Sequence, residues 1–515
     1  MLSYDDVEKE FEFAKKFAHN SLKAGRASAA SRAIALAANL AYHFMMRFKD
    51  SELEELVSTL STLTLEKRVC TPKNRRVVFF DVFGFPQRGL TQQYLRALND
   101  LGVEVLYIYD AIDGLPLNKV LSREIATFKK MRIVTSDTKA DFTTRLEKLA
   151  DEITDWSPCA AFLHLAPWSV GALALWQSID GPRKLLVDIT DHAFWLGTSA
   201  VDEVVEFSNY GMAVARGFRE IEGERLHLLP YYPILDDQVP FQGWPDACDG
   251  RIVIFTGGSM YKMLGENEEF FQVVKRVVTE RSDCVVCVAT SGNDKPLQEF
   301  VAKHRLRTRV FALGNRKDFA AAVRNCDIYL DTYPISGGLA VQFAIQMQKP
   351  VIWVRSADIL SWSAQKYLLG RPEAEVERDG TEEFLVRLNR LIETIRSGRV
   401  AEVPPAEVVL SPARFAERLG EILAQADIQR TWREVNVRQI DMRRVREHYL
   451  MLENRYLREL PYLKFKYLRG KYFVLAPVRA TIDAFGVLAF RKKRVAQKMR
   501  MWVARFRDRA ITSTS

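Results

Sequence analysis

The segment DIYLDTYPISGGLAVQFAIQMQKPVIWV, Asp327 to Val354, changes its pattern several times within a short length. An apolar strand, Ile328–Leu330, runs into Asp331 and Thr332, a break at Pro334 and then the pair Gly337-Gly338. A helix-length run follows, and a second buried strand begins after Lys349-Pro350. Strand, turn, helix and strand in succession build a doubly wound α/β sheet. Paired glycines opening a helix let backbone N–H groups converge on an anion, and the helix dipole favours negative charge there. In such sheets ligands sit outside the carboxyl ends of the strands. The same glycines also suit a tight turn with close helix–sheet contact. The phosphate and turn readings of Gly337 and Gly338 therefore stand side by side at this point.

The same grammar extends upstream in two blocks. From Arg251, the strand RIVIFTGG leads through SMYKMLGENEEFFQVVKRVVTERSD to the strand CVVCVATSG, a helix through His304 and the strand RVFALG. An earlier block begins at Arg75 with RRVVFFDVF, the turn FPQRG, the amphipathic LTQQYLRALNDLG and the strand VEVLYIYD. It continues through AAFLHLA, a helix to Trp176, KLLVDITDH, VDEVVEFSNYGMAVARGF and LHLLPYYP. Pro233, Pro240 and Pro245 mark a linker between the blocks. Before both, Tyr4 to Leu65 has helical periodicity (Phe13, Phe17, Leu22, Ile34, Leu36, Leu40, Phe44) and predicts two or three packed helices. The expected organisation is a helical segment at 1–68, Rossmann-like domains at 69–240 and 241–410, and C-terminal helices at 411–515.

At 48% hydrophobic and 27% charged residues, the composition is that of a globular protein with a sizeable core. The acidic start (Asp5, Asp6, Glu8) has no apolar h-region, so no secretory signal is expected, and the expected location is cytoplasmic. Six scattered cysteines suit a reducing compartment. Cys284 and Cys287 form a CxxC, but strand alternation sends residues three apart to opposite faces, so neither a shared metal nor a disulfide is expected. Two apolar stretches, 159–176 and 472–490, are interrupted by His164 and Pro167 or by Pro477, Arg479 and Asp483, and neither reads as a membrane span.

Charge is unevenly placed. From Arg430 onward, 22 Lys+Arg face 7 Asp+Glu, whereas the whole chain has a net charge of +9, leaving residues 1–429 at −6. In RKKRVAQKMRMWVARFRDR, Val495, Met499, Trp502, Val503 and Phe506 share one helical face among basic residues. Residues 491–511 are therefore expected to form an amphipathic helix, placed on an anionic membrane surface or docked on the protein itself. No readout module for nucleic acid accompanies the charge.

Residues 251–354 resemble the nucleotide-binding domain of the O-GlcNAc transferase family and its bacterial relatives. The likeness rests, in order, on IVIFTGGSMYKMLGENEEFFQVVKRVV, RVFALGNRKDFAAAVRNCDIYLDTYP and SGGLAVQFAIQMQKPVI. It implies a GT-B architecture: α/β, two facing Rossmann-like doubly wound domains, here with an N-terminal helical segment and a basic helical C-terminal tail. It also implies a nucleotide-diphosphate sugar as co-substrate, UDP-linked by preference, with no other cofactor and no metal. The donor side would be Gly257, Gly258, Ser259 and Lys262, the loop Leu313, Gly314, Asn315, Arg316 and Lys317, and Asp331, Thr332, Ser336, Gly337 and Gly338. Lys262 would contact the diphosphate, and the 313–317 loop would hold the base largely through its backbone. The chain departs from the family where a His is expected after the glycines (Leu339), where an acidic residue is expected for the ribose (Gln342-Phe343), and in lacking the first-domain His in GFPQRGLTQQ.

Candidates for the chemistry itself come from the first half. Asp188, Asp191 and His192 follow the apolar strand LLV, and attack by an acceptor hydroxyl on an anomeric carbon needs a nearby base. Asp191 is set slightly ahead of His192, against the alternative that Asp191 caps a helix while His192 packs on Phe194 and Trp195. His164 reads as a core histidine. Gln87, Arg88 and Gly89 form the loop expected to face sugar or acceptor. The expected activity is inverting sugar transfer to a protein or a lipid-linked glycan. The alternatives are a non-catalytic nucleotide-sugar-binding or scaffold protein, and a nucleotide-sugar epimerase or hydrolase.

Overall fold

The computed structural model describes residues 2–86, 90–111, 114–235, 239–354, 381–399, 409–426, 437, 441–468 and 480. Three helices open the chain, α1 (Tyr4–Lys23), α2 (Ala27–His43) and α3 (Ser51–Thr64). α1 begins with a capping box in which Ser3 and Asp6 each accept the other's backbone N–H. α2 is rich in alanine and buried along most of its length, so small side chains let α1 close upon it. A two-stranded pair, β1 (Arg68–Val69) with β6 (Ile179–Asp180), ties this segment to the first half.

The first half is an all-parallel sheet of β2 (Lys73–Asp81), β3 (Glu104–Tyr109), β4 (Met131–Thr135), β5 (Pro158–His164), β7 (Arg183–Val187), β8 (Glu203–Glu206) and β9 (Leu226–Leu228). Its spatial order is β4-β3-β2-β5-β7-β8-β9. Crossovers run through α4 (Thr91–Asp100), α5 (Lys119–Ile125), α6 (Phe142–Trp156), α7 (Val170–Gln177) and α8 (Asn209–Gly217). The second half is parallel too: β10 (Ile252–Ser259), β11 (Cys284–Ser291), β12 (Val310–Gly314), β13 (Ile328–Leu330) and β14 (Val351–Ile352), in the order β12-β11-β10-β13-β14. Its helices are α9 (Glu269–Glu280), α10 (Lys295–Lys303), α11 (Phe319–Arg324), α12 (Leu339–Gln346) and α13 (Thr381–Arg396).

Numbered within its own sheet, the first half runs 3-2-1-4-5-6-7 and the second 3-2-1-4-5, the doubly wound order expected from sequence. Strand order reverses between β2 and β5 in one sheet and between β10 and β13 in the other, the positions outside which ligands of such sheets bind. The central strands are buried on both faces, which their near-continuous Val, Ile and Phe runs require. On β11, Cys284 packs with Ile254 and Phe271, whereas Cys287 packs with Phe255 and Val323 on the other face. The CxxC is thus split by the pleat.

After the second sheet the chain returns to the first. α14 (Pro412–Leu423) docks on α4, with Phe415 edge-on to Tyr94 at 5.3 Å and to Tyr232 at 5.6 Å. α15 (Met442–Leu452) and α16 (Glu459–Leu468) then bind the N-terminal helices. Arg446 Nη2 donates to Met46 O at 2.9 Å, and Asn39 Nδ2 donates to the Tyr467 hydroxyl at 2.9 Å. Leu452 lies in the core of the second half, so this strand of chain spans both halves. Among the described residues no helix is long and apolar enough to cross a membrane. The amphipathic tail expected at 491–511 lies outside the described residues.

Candidate functional site

The crevice of the second sheet is lined by Gly257-Gly258-Ser259 at the end of β10 and Asp331-Thr332 after β13. A Cβ on Gly257 would stand 2.5 Å from the Phe319 ring, so this glycine is needed for the seating of α11. A Cβ on Gly258 would meet only Thr332 at 3.6 Å and Lys262 at 3.9 Å. Ser259 Oγ lies 3.1 Å from Ser291 Oγ. Lys262 sits on the single 3-10 turn Met260–Met263, where its Nζ donates to Ser336 O at 2.8 Å and its carbonyl accepts Ile335 N–H at 3.2 Å. The lysine is thereby fixed over the glycine loop. Burial pushes its ammonium below the usual lysine value, while Asp331 and Asp191 pull it back.

The glycine loop is organised by Asp331, which is 1% exposed. Its Oδ1 accepts N–H from Thr332 at 2.8 Å and from Gly337 at 2.7 Å, and Oδ2 has no partner among the described residues. Burial drives this carboxyl from 3.8 up to about 6, despite the Gly337 N–H, Ser336 and Lys262 beside it. Ser336 Oγ accepts Gly338 N–H at 3.2 Å, and Thr332 Oγ1 donates to Ile335 O at 2.6 Å. Both N–H groups expected to cradle phosphate are therefore engaged by the loop's own side chains. Gly338, at φ +56 and ψ −104, takes a conformation open essentially to glycine alone.

In the 313–317 loop, Gly314 turns at φ +64 and Lys317 is exposed. Arg316 is 7% exposed, pairs with Asp318, and donates from Nη1 to Gly243 O at 3.0 Å. Its guanidinium stacks on Phe241 at 5.4 Å and Trp244 at 5.1 Å. That side chain is held by Gly243, Phe241 and Trp244 of the linker between halves.

Asp191 and His192 follow β7 in the first half. Asp191 is 0% exposed and its Oδ2 accepts the Ser208 hydroxyl at 2.9 Å, while Oδ1 faces His192 Nδ1 at 3.3 Å. Ser208, not Asp191, caps α8, accepting Gly211 N–H at 2.9 Å. His192 is partly exposed and lies 6.3 Å, ring to ring, from Tyr42. A buried carboxylate against Nδ1 orients an imidazole so that Nε2 is the nitrogen that exchanges protons. In this arrangement Asp191 is the buried member of the pair and His192 the partly exposed one. Asp188 is buried behind them, accepting Thr190 N–H at 2.6 Å and Trp195 Nε1–H at 3.1 Å. The loop after His192 is tied down by Glu54 of α3, whose Oε1 accepts Gly197 N–H at 2.8 Å and whose Oε2 accepts the Ser199 hydroxyl at 2.7 Å.

The two sets meet. Ala193 and Tyr210 of the first half share an apolar cluster with Ile335 and Tyr261 of the second, closed by Tyr42 of α2 and Tyr449 of α15. Asp191 acts on the charge of Lys262 across this contact. Gln87, Arg88 and Gly89 lie outside the described residues.

One constellation was not singled out as a unit in the sequence. At the first sheet's crevice, Asp81 Oδ1 faces His164 Nδ1 at 3.0 Å, and Asp81 Oδ2 accepts from Thr91 Oγ1 at 2.8 Å and the Tyr107 hydroxyl at 2.9 Å. Burial opposes the Asp81 charge, but His164 and the N–H and O–H donors outweigh it and hold the carboxyl below its usual value. At 0% and 1% exposure with its lone pairs occupied, this pair is an internal brace, in line with the core reading of His164. Among the described residues no group of His, Cys, Asp or Glu has metal-ligand geometry.

No family model matches the chain, and no curated protein does. Among solved structures, it is similar to Anabaena Alr3699/HepE in complex with UDP and glucose, at 13% identity, over 68% of this chain and 99% of that one, with a TM-score of 0.47. It is similar to a glycosyltransferase from Rickettsia africae ESF-5 at 12% identity, 77% and 100% coverage and a TM-score of 0.46. It is also similar to a mutant Thermobaculum terrenum O-GlcNAc transferase at 15% identity, 86% and 85% coverage and a TM-score of 0.45. At such identities and TM-scores these likenesses carry no argument about activity.

Proposed function

We propose that the chain is a glycosyltransferase that moves a sugar from a nucleotide diphosphate, UDP by preference, to a hydroxyl of a protein or lipid-linked glycan. The observation that carries this reading is that Lys262, fixed over the second-half glycine loop, and the Asp191–His192 pair of the first half flank one packed contact, where Tyr261 and Ile335 meet Ala193 and Tyr210. In the proposed step the acceptor oxygen attacks the anomeric carbon as His192 Nε2 takes its proton. The bond from that carbon to the diphosphate oxygen breaks on the opposite side, inverting the centre. Charge growing on the leaving diphosphate is met by Lys262, a fixed cation aimed where charge develops. Asp191 holds the imidazole and supports its charged form.

One observation favours a second reading, nucleotide-sugar binding without transfer: Asp331 and Ser336 already occupy the glycine N–H groups. His192→Ala separates the two. A transferase loses about 10²- to 10⁴-fold in release of UDP from UDP-sugars, with UDP affinity kept, because a positioned base contributes that much. Turnover equal to the parent refutes His192 as the base. UDP-sugars that stabilise the parent yet never release UDP, with any acceptor or with water, favour the binding reading. Saturating donor at about 100 times Kd should add roughly 2.7 kcal/mol of stability, a convenient screen for the sugar. The anionic surface proposed for residues 491–511 would suit a lipid-linked acceptor.

A further inference from the structure

Behind Asp191 and His192 lies a fully buried arginine, Arg219, just past α8. Its Nη2 donates to Thr190 O at 2.8 Å and to Ala193 O at 2.6 Å, the two carbonyls that bracket Asp191-His192 in sequence. The guanidinium lies over the Trp195 ring at 4.8 Å, and Trp195 in turn donates to Asp188. Nη1 faces Asp188 Oδ2 at 3.7 Å and Glu206 Oε1 at 3.9 Å. One cation is thus shared by two buried carboxyls. Burial and the neighbouring Asp188 push the Glu206 carboxyl well above the usual range.

We propose that Arg219 is a positioning residue, clamping the 190–193 turn by its two flanking carbonyls and so fixing the His192 imidazole against Asp191. The reach of the clamp is a property of the fork. A guanidinium presents several N–H donors in one rigid plane, so one nitrogen can serve two carbonyls while another faces acid. Lysine in its place keeps the charge but gathers its three rotatable N–H donors on one nitrogen at the end of a flexible stem, without the planar fork that reaches carbonyls and acids at once. Lys262, Tyr42 and Tyr231 also act on Asp191, and the hydrogen bonds to the Thr190 and Ala193 carbonyls come from Arg219 Nη2. The inference rests on the reading of His192 as the base.

The test is side-chain ¹⁵N NMR of the histidines in the full chain, which has seven. His164 is the internal control, because Asp81 holds it at 3.0 Å in the same domain by contacts that do not involve Arg219. In the parent, His192 should carry its proton on Nδ1, toward Asp191. In Arg219→Lys it should shift toward the Nε2–H tautomer while His164 stays unchanged, and turnover should fall about 10- to 100-fold at constant UDP affinity, as for a misplacement of about 1 Å. An unmoved His192, or an equal change at His164, overturns the clamp. Glu206→Gln provides the second variant, preserving shape while removing the acid, and should leave His192 unmoved. A tautomer shift in that variant would mean that buried charge balance, and not the clamp, orients the ring. Full turnover in His192→Ala removes the base assignment whatever the NMR shows. An inactive His192→Ala with an unmoved tautomer in Arg219→Lys removes only the clamp.

Discussion

Asp331→Asn should stabilise the protein at neutral pH, and by an amount the structure sets. Asp331 is 1% exposed, and its carboxyl is raised from 3.8 to about 6 because burial outweighs the N–H groups and Lys262 that favour its charge. A carboxyl whose folded value lies above its unfolded value binds protons more readily when folded. Stability is therefore lost as pH rises from 3.8 to about 6, and the whole penalty stands above that window. At about 1.36 kcal/mol per pH unit the gap is worth roughly 3 kcal/mol. Asparagine keeps an oxygen for Thr332 and Gly337 N–H, but places an NH₂ where Oδ2 has no partner among the described residues, at a cost of about 1 kcal/mol. The expected net gain is about 2 kcal/mol at pH 7.5, and the carboxylate penalty that produces it should be only about half as large at pH 5. Urea unfolding of parent and variant at both pH values measures it. A variant less stable than the parent at pH 7.5, or a difference independent of pH, refutes the reasoning.

Lys262→Ala should weaken UDP binding about 10- to 150-fold by calorimetry, the value of a charge-assisted contact at about 1.5–3 kcal/mol, and unchanged affinity removes Lys262 from the diphosphate. Arg316→Ala should cost about 3–5 kcal/mol of stability, because it strands Asp318 at 0% side-chain exposure. UDP affinity in the folded variant should change little, and a large loss there would show that the guanidinium itself touches the nucleotide. Truncation before Arg491 should abolish co-sedimentation with anionic vesicles, and the parent's binding should fade with salt, since exposed charges are screened over about 10 Å at 0.1 M. Equal pelleting of the two proteins would place the tail against the protein.

Both sheets were legible because their strands are continuous apolar runs separated by turn residues, a signal that survives without any partner information. β4 was harder: Met131–Thr135 is largely exposed at a sheet edge, and its MRIVT lacks the apolar run that announces β10 or β11. The return of α14 to the first half was not legible at all. It depends on Phe415 meeting Tyr94 and Tyr232, residues hundreds of positions away. In the site, residue types were legible and their hydrogen-bond partners were not. Gly337 and Arg316 have the chemistry of phosphate and base contacts, but Asp331 and Asp318 claim that chemistry first. Asp191 ranked above His192 on type alone, and its zero exposure and the 3.3 Å approach to Nδ1, which no sequence pattern carries, are what the proposed orienting role rests on.

Neither half suffices alone, and the reason lies in what each anchors. The second half ties Lys262 to its own loop through Ile335 and Ser336, so on the proposed function the cation stays with the donor's diphosphate. The first half ties Asp191 to Ser208 and the following loop to Glu54, so on the proposed function the His192 base stays with the acceptor side. What encloses them comes from neither sheet's own strands. Tyr42 of α2 and Tyr449 of α15 pack with Tyr210 and Tyr261 over the meeting point. A donor held between a base and a cation is open to water as well as to its acceptor, and excluding water is what separates transfer from hydrolysis. On this argument the helices flanking the two sheets are part of the reaction vessel. Shortening Tyr42 or Tyr449 should raise the ratio of hydrolysis to transfer even where donor affinity is unchanged.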